Sequence, residues 1–146
     1  MTDQYDKRKF IERGVLSCCM LEGEGKVADY YIDEGLNTRW FKDAVSGKIW
    51  QLISELRTNN DTVYPEDVSV KVIGAKVSIH HAEPNTICNT LETHVQYKSL
   101  IEQLRTLYKS SVLERAAMEM QEAISIGVDA DDALREFNES VGAMDN

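Results

Sequence analysis

The sequence predicts an all-α fold, a small helical globular head followed by a C-terminal helical hairpin, and three observations carry that prediction. From residue 85 to residue 126 the chain runs 42 residues without Gly or Pro, the two residues that cost about 1 and about 3 kcal/mol inside a helix. Apolar residues recur at steps of three and four through most readable segments, the spacing of a helix face. A Gly at 127 then breaks the long segment, and a second amphipathic stretch, Asp131 to Met144, follows it. The division this suggests is a head over 1–95 and a hairpin over 96–146.

Taken in order, the first helix starts after a cap at Thr2 or Asp3. It carries Ile11, Val15, Leu16, Cys19 and Met20 on one face and ends at Gly23-Glu-Gly25. A second helix from Lys26 to Glu34 turns Val27, Tyr30 and Tyr31 inward, shows Asp29, Asp33 and Glu34 to solvent and stops at Gly35. Trp40-Phe41 sits in a short turn or helical segment. Ser46 caps a helix whose buried stripe is Ile49, Trp50, Ile53 and Leu56. Thr58 to Thr62 is a loop by composition. Pro65 presets a helix start and Glu66 and Asp67 suit its dipole, which predicts a helix to Ile73 stopped by Gly74, although Val68, Val70 and Val72 also alternate as a strand would. Val77-Ser-Ile-His-His81 reads as strand or helix. After Pro84 everything reads as helix.

The long segment does not present one face. At about 100° per residue, Tyr97, Leu100, Ile101, Leu104, Leu107, Tyr108 and Val112 cluster together. Past Ser110-Ser111, the cluster Leu113, Ala116, Ala117, Met120, Ala123 and Ile124 is turned by roughly 150° from the first. The first half therefore packs on the head and the second pairs with Leu134, Phe137 and Val141. A kink or break at the two serines is the competing explanation. Leu100, Leu107 and Met118 align at spacings of 7 and 11 and form either a candidate stripe between subunits or simply core.

Composition narrows the function classes. The net charge of −9, from 16 basic and 25 acidic residues, argues against a groove that tracks phosphates, so direct nucleic-acid binding is not expected. No apolar run is long enough for a membrane span, and the N-terminus lacks a signal-peptide core, so a cytoplasmic protein is expected. Three cysteines, two of them adjacent, staple no secreted fold and read as reduced, buried thiols.

Catalytic chemistry finds no support. Gly23-Glu-Gly-Lys26 lacks the spacing of a phosphate loop. His80, His81, Cys88 and His94 contain no paired metal-ligand spacing, and Asp129, Asp131 and Asp132 lack the central Gly and closing Glu of a calcium loop, reading instead as caps of the last helix. Cys18 and Cys19 lie on an apolar helix and read as core rather than as nucleophiles. Trp40, Phe41 and Trp50, without interleaved Lys and Arg, read as core rather than as a base-stacking platform. No catalytic, metal or cofactor site is expected.

Several segments carry a resemblance. Glu12-Arg-Gly-Val-Leu-Ser-Cys-Cys-Met-Leu21 resembles the first helix of the N-terminal domain of DnaB-type replicative helicases, typically Glu-x-x-Val-Leu-Gly-x-x-Leu. Trp40-Phe41 stands where the family has an aromatic pair, Ile49 to Leu56 is similar to its next helix, Pro65-Glu-Asp-Val-Ser-Val70 resembles the segment built around Asp-Leu-Val-Thr, and Tyr97 to Ile126 with Asp131 to Met144 match its helical hairpin. The resemblance spans about residues 8–144. Ser17 departs from the family's Gly, the His that commonly follows the aromatic pair is absent, and the spacing there differs by about one residue, departures that suit a divergent, phage-borne version. The 146 residues hold no ATPase motor, so either an excised N-terminal domain or a stand-alone relative is expected.

The resemblance implies a non-catalytic domain whose hairpins pair as dimers, build a hexameric collar, and dock DNA primase or a helicase loader. The residues assigned to self-association or partner contact are Leu100, Leu107, Tyr108, Val112, Met118, Met120 and Phe137. The alternative is a stand-alone phage loader or inhibitor that uses the same fold to bind a host helicase.

Overall fold

A computed structural model of the chain describes residues 2–144, with side chains from residue 6 onward. Among the described residues there is no strand. The elements are α1 (Thr2–Glu22), α2 (Lys26–Asp33), a 3-10 turn (Thr38–Trp40), α3 (Ala44–Thr58), α4 (Pro65–Ala75), α5 (Glu83–Cys88), α6 (Tyr97–Ser125) and α7 (Ala130–Ala143). The chain divides into two compact units, Met1–Arg105 and Thr106–Asn146. The division falls inside α6 rather than at its start.

The first unit is organised around α1, which packs against α2, α3 and α5, while α4 packs on both α3 and α5. The expected stripe is buried, but so are Glu12, Gly14, Ser17 and Cys18 between its members. The second half of α1 is thus a helix enclosed on all sides. The expected cap at Thr2 or Asp3 falls on side chains outside the described ones.

Two buried polar residues of α1 make this enclosure possible. Glu12 accepts hydrogen bonds from the backbone N–H groups of Lys42 (3.0 Å) and Asp43 (3.1 Å) and from Arg8 Nε (3.0 Å), while Arg8 also donates to the Trp40 carbonyl at 3.1 Å. One carboxylate therefore ties the turn carrying Trp40 and Phe41 to α1. Ser17 Oγ donates to the Cys88 carbonyl at 2.6 Å and accepts from Leu91 N at 3.3 Å. A hydroxyl at this position thus supplies both a donor and an acceptor to the chain leaving α5.

The termini of the helices follow local chemistry, with some corrections to the sequence reading. The Glu22 carboxylate accepts from Gly25 N (3.2 Å) and Val27 N (3.1 Å), satisfying the start of α2. Gly23 has φ +72°, and a Cβ there would overlap the Tyr64 ring, so the turn needs glycine. Asp43, not Ser46, caps α3: its carboxylate accepts from Ser46 N (3.3 Å) and Ser46 Oγ (2.8 Å), and Ser46 is buried one turn inside. The valines of α4 settle as a helix, with Val68 and Val72 buried four apart and Val70 exposed. Gly74 does not stop α4, which continues to Ala75 and ends at Lys76 with φ 55°. Residues 77–81 are neither strand nor helix.

The stretch after Pro84 is not continuous helix. α5 lasts six residues and an irregular segment over 89–96 precedes α6. Asn89, Thr90, Thr93 and His94 are poor helix formers whose side chains compete for the backbone. The Ser17 hydroxyl offers that backbone another partner, so loss of Gly and Pro alone did not secure a helix. Helix α6, in contrast, runs unbroken through Ser110-Ser111, with Ser111 Oγ donating to the Leu107 carbonyl at 3.1 Å. No break occurs at the serines.

Candidate protein-docking surface

The start of α6 belongs to the first unit. Leu100, Ile101 and Leu104 are buried, and a Cβ placed on Gly14 would lie 3.5 Å from Leu100 Cδ1. The Tyr31 hydroxyl donates to the Tyr97 carbonyl at 2.9 Å, and the rings of Tyr30 and Tyr97 meet edge to face at 5.3 Å. Arg105 closes this stretch, donating to the carbonyl and the carboxylate of Glu34 at 2.9 and 3.1 Å and lying 5.4 Å from the Trp40 ring centre. Leu100, expected at a partner contact, is instead buried in the first unit, at 4% exposed.

Past Arg105 the character of the helix changes. Leu107, Tyr108, Val112, Met120 and Phe137 are half-buried, and Met118 is 69% exposed. The stripe of Leu100, Leu107 and Met118 thus runs from complete burial to open solvent and does not act as one surface. Among the described residues of the second unit, the only fully buried apolar side chains are Ala116 and Ala133. These two alanines form its seam, with Ala117, Met120, Ala123, Phe137 and Val141 half-buried. Leu134, expected to point inward, is 49% exposed; Ala133 takes the inner position beside it.

The turn between α6 and α7 is firmly specified. Gly127 N donates to the Ile124 carbonyl (3.1 Å) and Val128 N to the Ala123 carbonyl (3.0 Å), with Gly127 at φ +99°. This pair of bonds with a left-handed glycine is the Schellman stop. Asp129 caps α7 by accepting from Asp131 N at 3.2 Å, and Asp131 and Asp132 occupy its first turn, as the sequence suggested. The hairpin geometry is set by its turn more than by its core.

The sequence reading missed the apolar residues that stay exposed here: Leu113, Ile124, Ile126, Val128 and Leu134. A signal was present, since the face holding Leu113 and Ile124 is wider than one short partner helix covers. It also missed three exposed glutamates, Glu119, Glu136 and Glu139, that line a groove of about 260 Å³ together with Ala116, Met120, Ala133 and Phe137. That volume is below the roughly 300–1,000 Å³ of small-molecule sites. It accommodates a side chain rather than a cofactor.

Burial pushes the Cys18 thiol up to about 11 and raises Cys19 and Cys88 above the usual thiol value, so all three stay protonated and poorly nucleophilic near neutrality. Trp40, Phe41 and Trp50 are buried and cannot stack on bases. His80 stacks on His81 with ring centres 4.4 Å apart, and among the described residues no group of three His, Cys, Asp or Glu is disposed to hold a metal. Among those residues no helix is long and apolar enough to cross a membrane.

No family model matches the sequence, and no curated protein matches it. The structure is similar to the crystal structure of the N-terminal domain of DnaB helicase from Mycobacterium tuberculosis, with a TM-score of 0.79 at 12% identity, over 92% of this chain and 95% of that one. The all-α fold, with a helical unit preceding a helical hairpin, is the fold of the DnaB helicase N-terminal domain, kept here at an identity that carries the fold alone.

Proposed function

We propose that this chain is a non-catalytic helicase N-terminal domain, whose hairpin unit mediates subunit assembly and docks a primase or loader. The observation that supports this most is the exposure of Leu113, Met118, Ile124, Ile126 and Leu134 on a unit whose own core is two alanines. Such a face gains about 1.5–3 kcal/mol for each large side chain that a partner fully buries. Pairing of two hairpins about a two-fold axis covers both copies at once and closes the assembly. The shared fold supplies the second support.

Light scattering on the chain, alone and mixed with a primase C-terminal domain, tests the reading. Self-association at micromolar concentration and co-elution with the primase domain are the expected results. Tyr108→Glu weakens self-association with helicity nearly unchanged. A strict monomer at high micromolar concentration that ignores primase rules the reading out.

A further inference from the structure

The groove on the hairpin unit differs from the rest of its apolar surface because it combines an apolar floor with a rim of a single charge. Ala116 and Ala133 are buried at its base, and Met120 and Phe137 are half-buried beside them. Glu119, Glu136 and Glu139 line it and are exposed. None of the three is paired with a described cation. In the first unit, by comparison, Asp29 is held by Arg57 Nε and Nη2 at 2.8 and 3.0 Å and Glu34 by Arg105. The groove carboxylates have no such internal role.

The charge of the whole unit points the same way. Thr106–Asn146 holds three basic residues, Lys109, Arg115 and Arg135, against nine acidic ones, so it carries −6 of the chain's −9. Met1–Arg105 carries the other −3. A second copy of this chain therefore meets the rim with net negative charge whichever unit it presents, whereas a cationic segment meets it with attraction.

We propose that this groove receives a cationic amphipathic helix of another protein. One aliphatic or aromatic side chain sits between Met120 and Phe137, and flanking lysines or arginines pair with Glu119, Glu136 and Glu139. Helix-in-groove recognition seats an apolar face of the helix in the groove, and a rim of one charge adds selectivity for a helix of the opposite charge. The inference rests on the hairpin being the docking half of the chain, and adds the chemistry of what docks there.

Fluorescence polarisation of the full chain with two synthetic helices tests it. Both probes carry leucines at the same helical spacing; one carries lysines at the remaining positions and the other glutamates. The lysine probe is expected to bind at least about tenfold more tightly, a difference of about 1.4 kcal/mol, and to weaken as salt is raised because the rim is exposed and screened. The triple variant Glu119→Gln, Glu136→Gln, Glu139→Gln is expected to lose that preference while keeping its circular dichroism and its state of self-association. Equal binding of both probes, or of neither, overturns the inference. A shift in the monomer–oligomer balance of the triple variant, with no change in probe binding, overturns it in favour of a second copy as the occupant. Self-association of the unmodified chain is measured alongside, so loss of the cationic-helix inference remains distinguishable from loss of the docking function.

Discussion

In Met1–Arg105 the large apolar residues Trp50, Tyr31, Leu16, Met20, Ile49 and Ile53 are fully buried, and polar residues such as Glu12 and Ser17 enter that core only with their hydrogen bonds made. Among the described residues of Thr106–Asn146 the buried positions are alanines, and the large apolar residues are half-buried or exposed. Both regions are helical and both have capped ends. They differ in how far the chain itself covers its apolar residues: largely in the first, and incompletely in the second. Helix caps and turns can therefore specify a hairpin without giving it a core of its own.

Mutations separate the two regions by size of effect. Trp50→Ala is expected to cost about 3–5 kcal/mol in urea unfolding, the range for a fully buried large side chain; a loss under about 1 kcal/mol contradicts the picture of the first unit as the core. Glu12→Gln removes the charge from three hydrogen bonds and is expected to cost about 2–3 kcal/mol. The matched change Glu136→Gln in the hairpin should stay within about 0.5 kcal/mol. The glycines offer a second matched pair. Gly127→Ala bears only the strain of a left-handed residue, about 1–2 kcal/mol, while Gly23→Ala adds a clash with the Tyr64 ring and should cost more. Equal losses for the two would mean that the Tyr64 ring moves aside freely.

The thiols make the first unit sensitive to alkaline pH, because all three lie there. The folded Cys18 value of about 11 is above the unfolded value of 9.0, so the folded state retains its proton where the unfolded state has lost it. Through Cys18, stability is unaffected well below pH 9 and falls as pH rises from 9 toward 11, by at most about 1.4 kcal/mol per pH unit. Urea midpoints at pH 7 and pH 10 check this. The smallest effect on folding is expected for Met118→Ser, within about 0.5 kcal/mol, although the same change should weaken self-association measured by light scattering.

The first unit was largely legible because helical spacing and burial agree there: the stripes of α1 and α3 and the inward Tyr31 all emerge from periodicity. Buried polar anchors were not legible, because Glu12 and Ser17 gain meaning only from Lys42, Asp43, Cys88 and Leu91, which are distant in sequence. The same holds for the break over 89–96, where a Gly- and Pro-free segment yields to hydrogen bonding from Ser17. In the hairpin, the rotation of the apolar face past Ser110 could be read. Which residues remained uncovered could not, since Ala133 rather than Leu134 takes the inner position and that choice depends on how closely the two helices approach. Leu100 shows the limit of spacing arguments: it shares a register with Leu107 and Met118 but is buried against Gly14.

Hydrogen exchange along α6, measured as a function of protein concentration, tests the contrast most directly, because one helix passes through both regimes. Amides around Leu100–Leu104 should be strongly protected at every concentration, as expected for a core that is complete within one chain. Amides from Leu113 to Ile124 should be weakly protected at low micromolar concentration and gain protection as concentration rises. Protection of that second stretch that is high and independent of concentration would contradict the account.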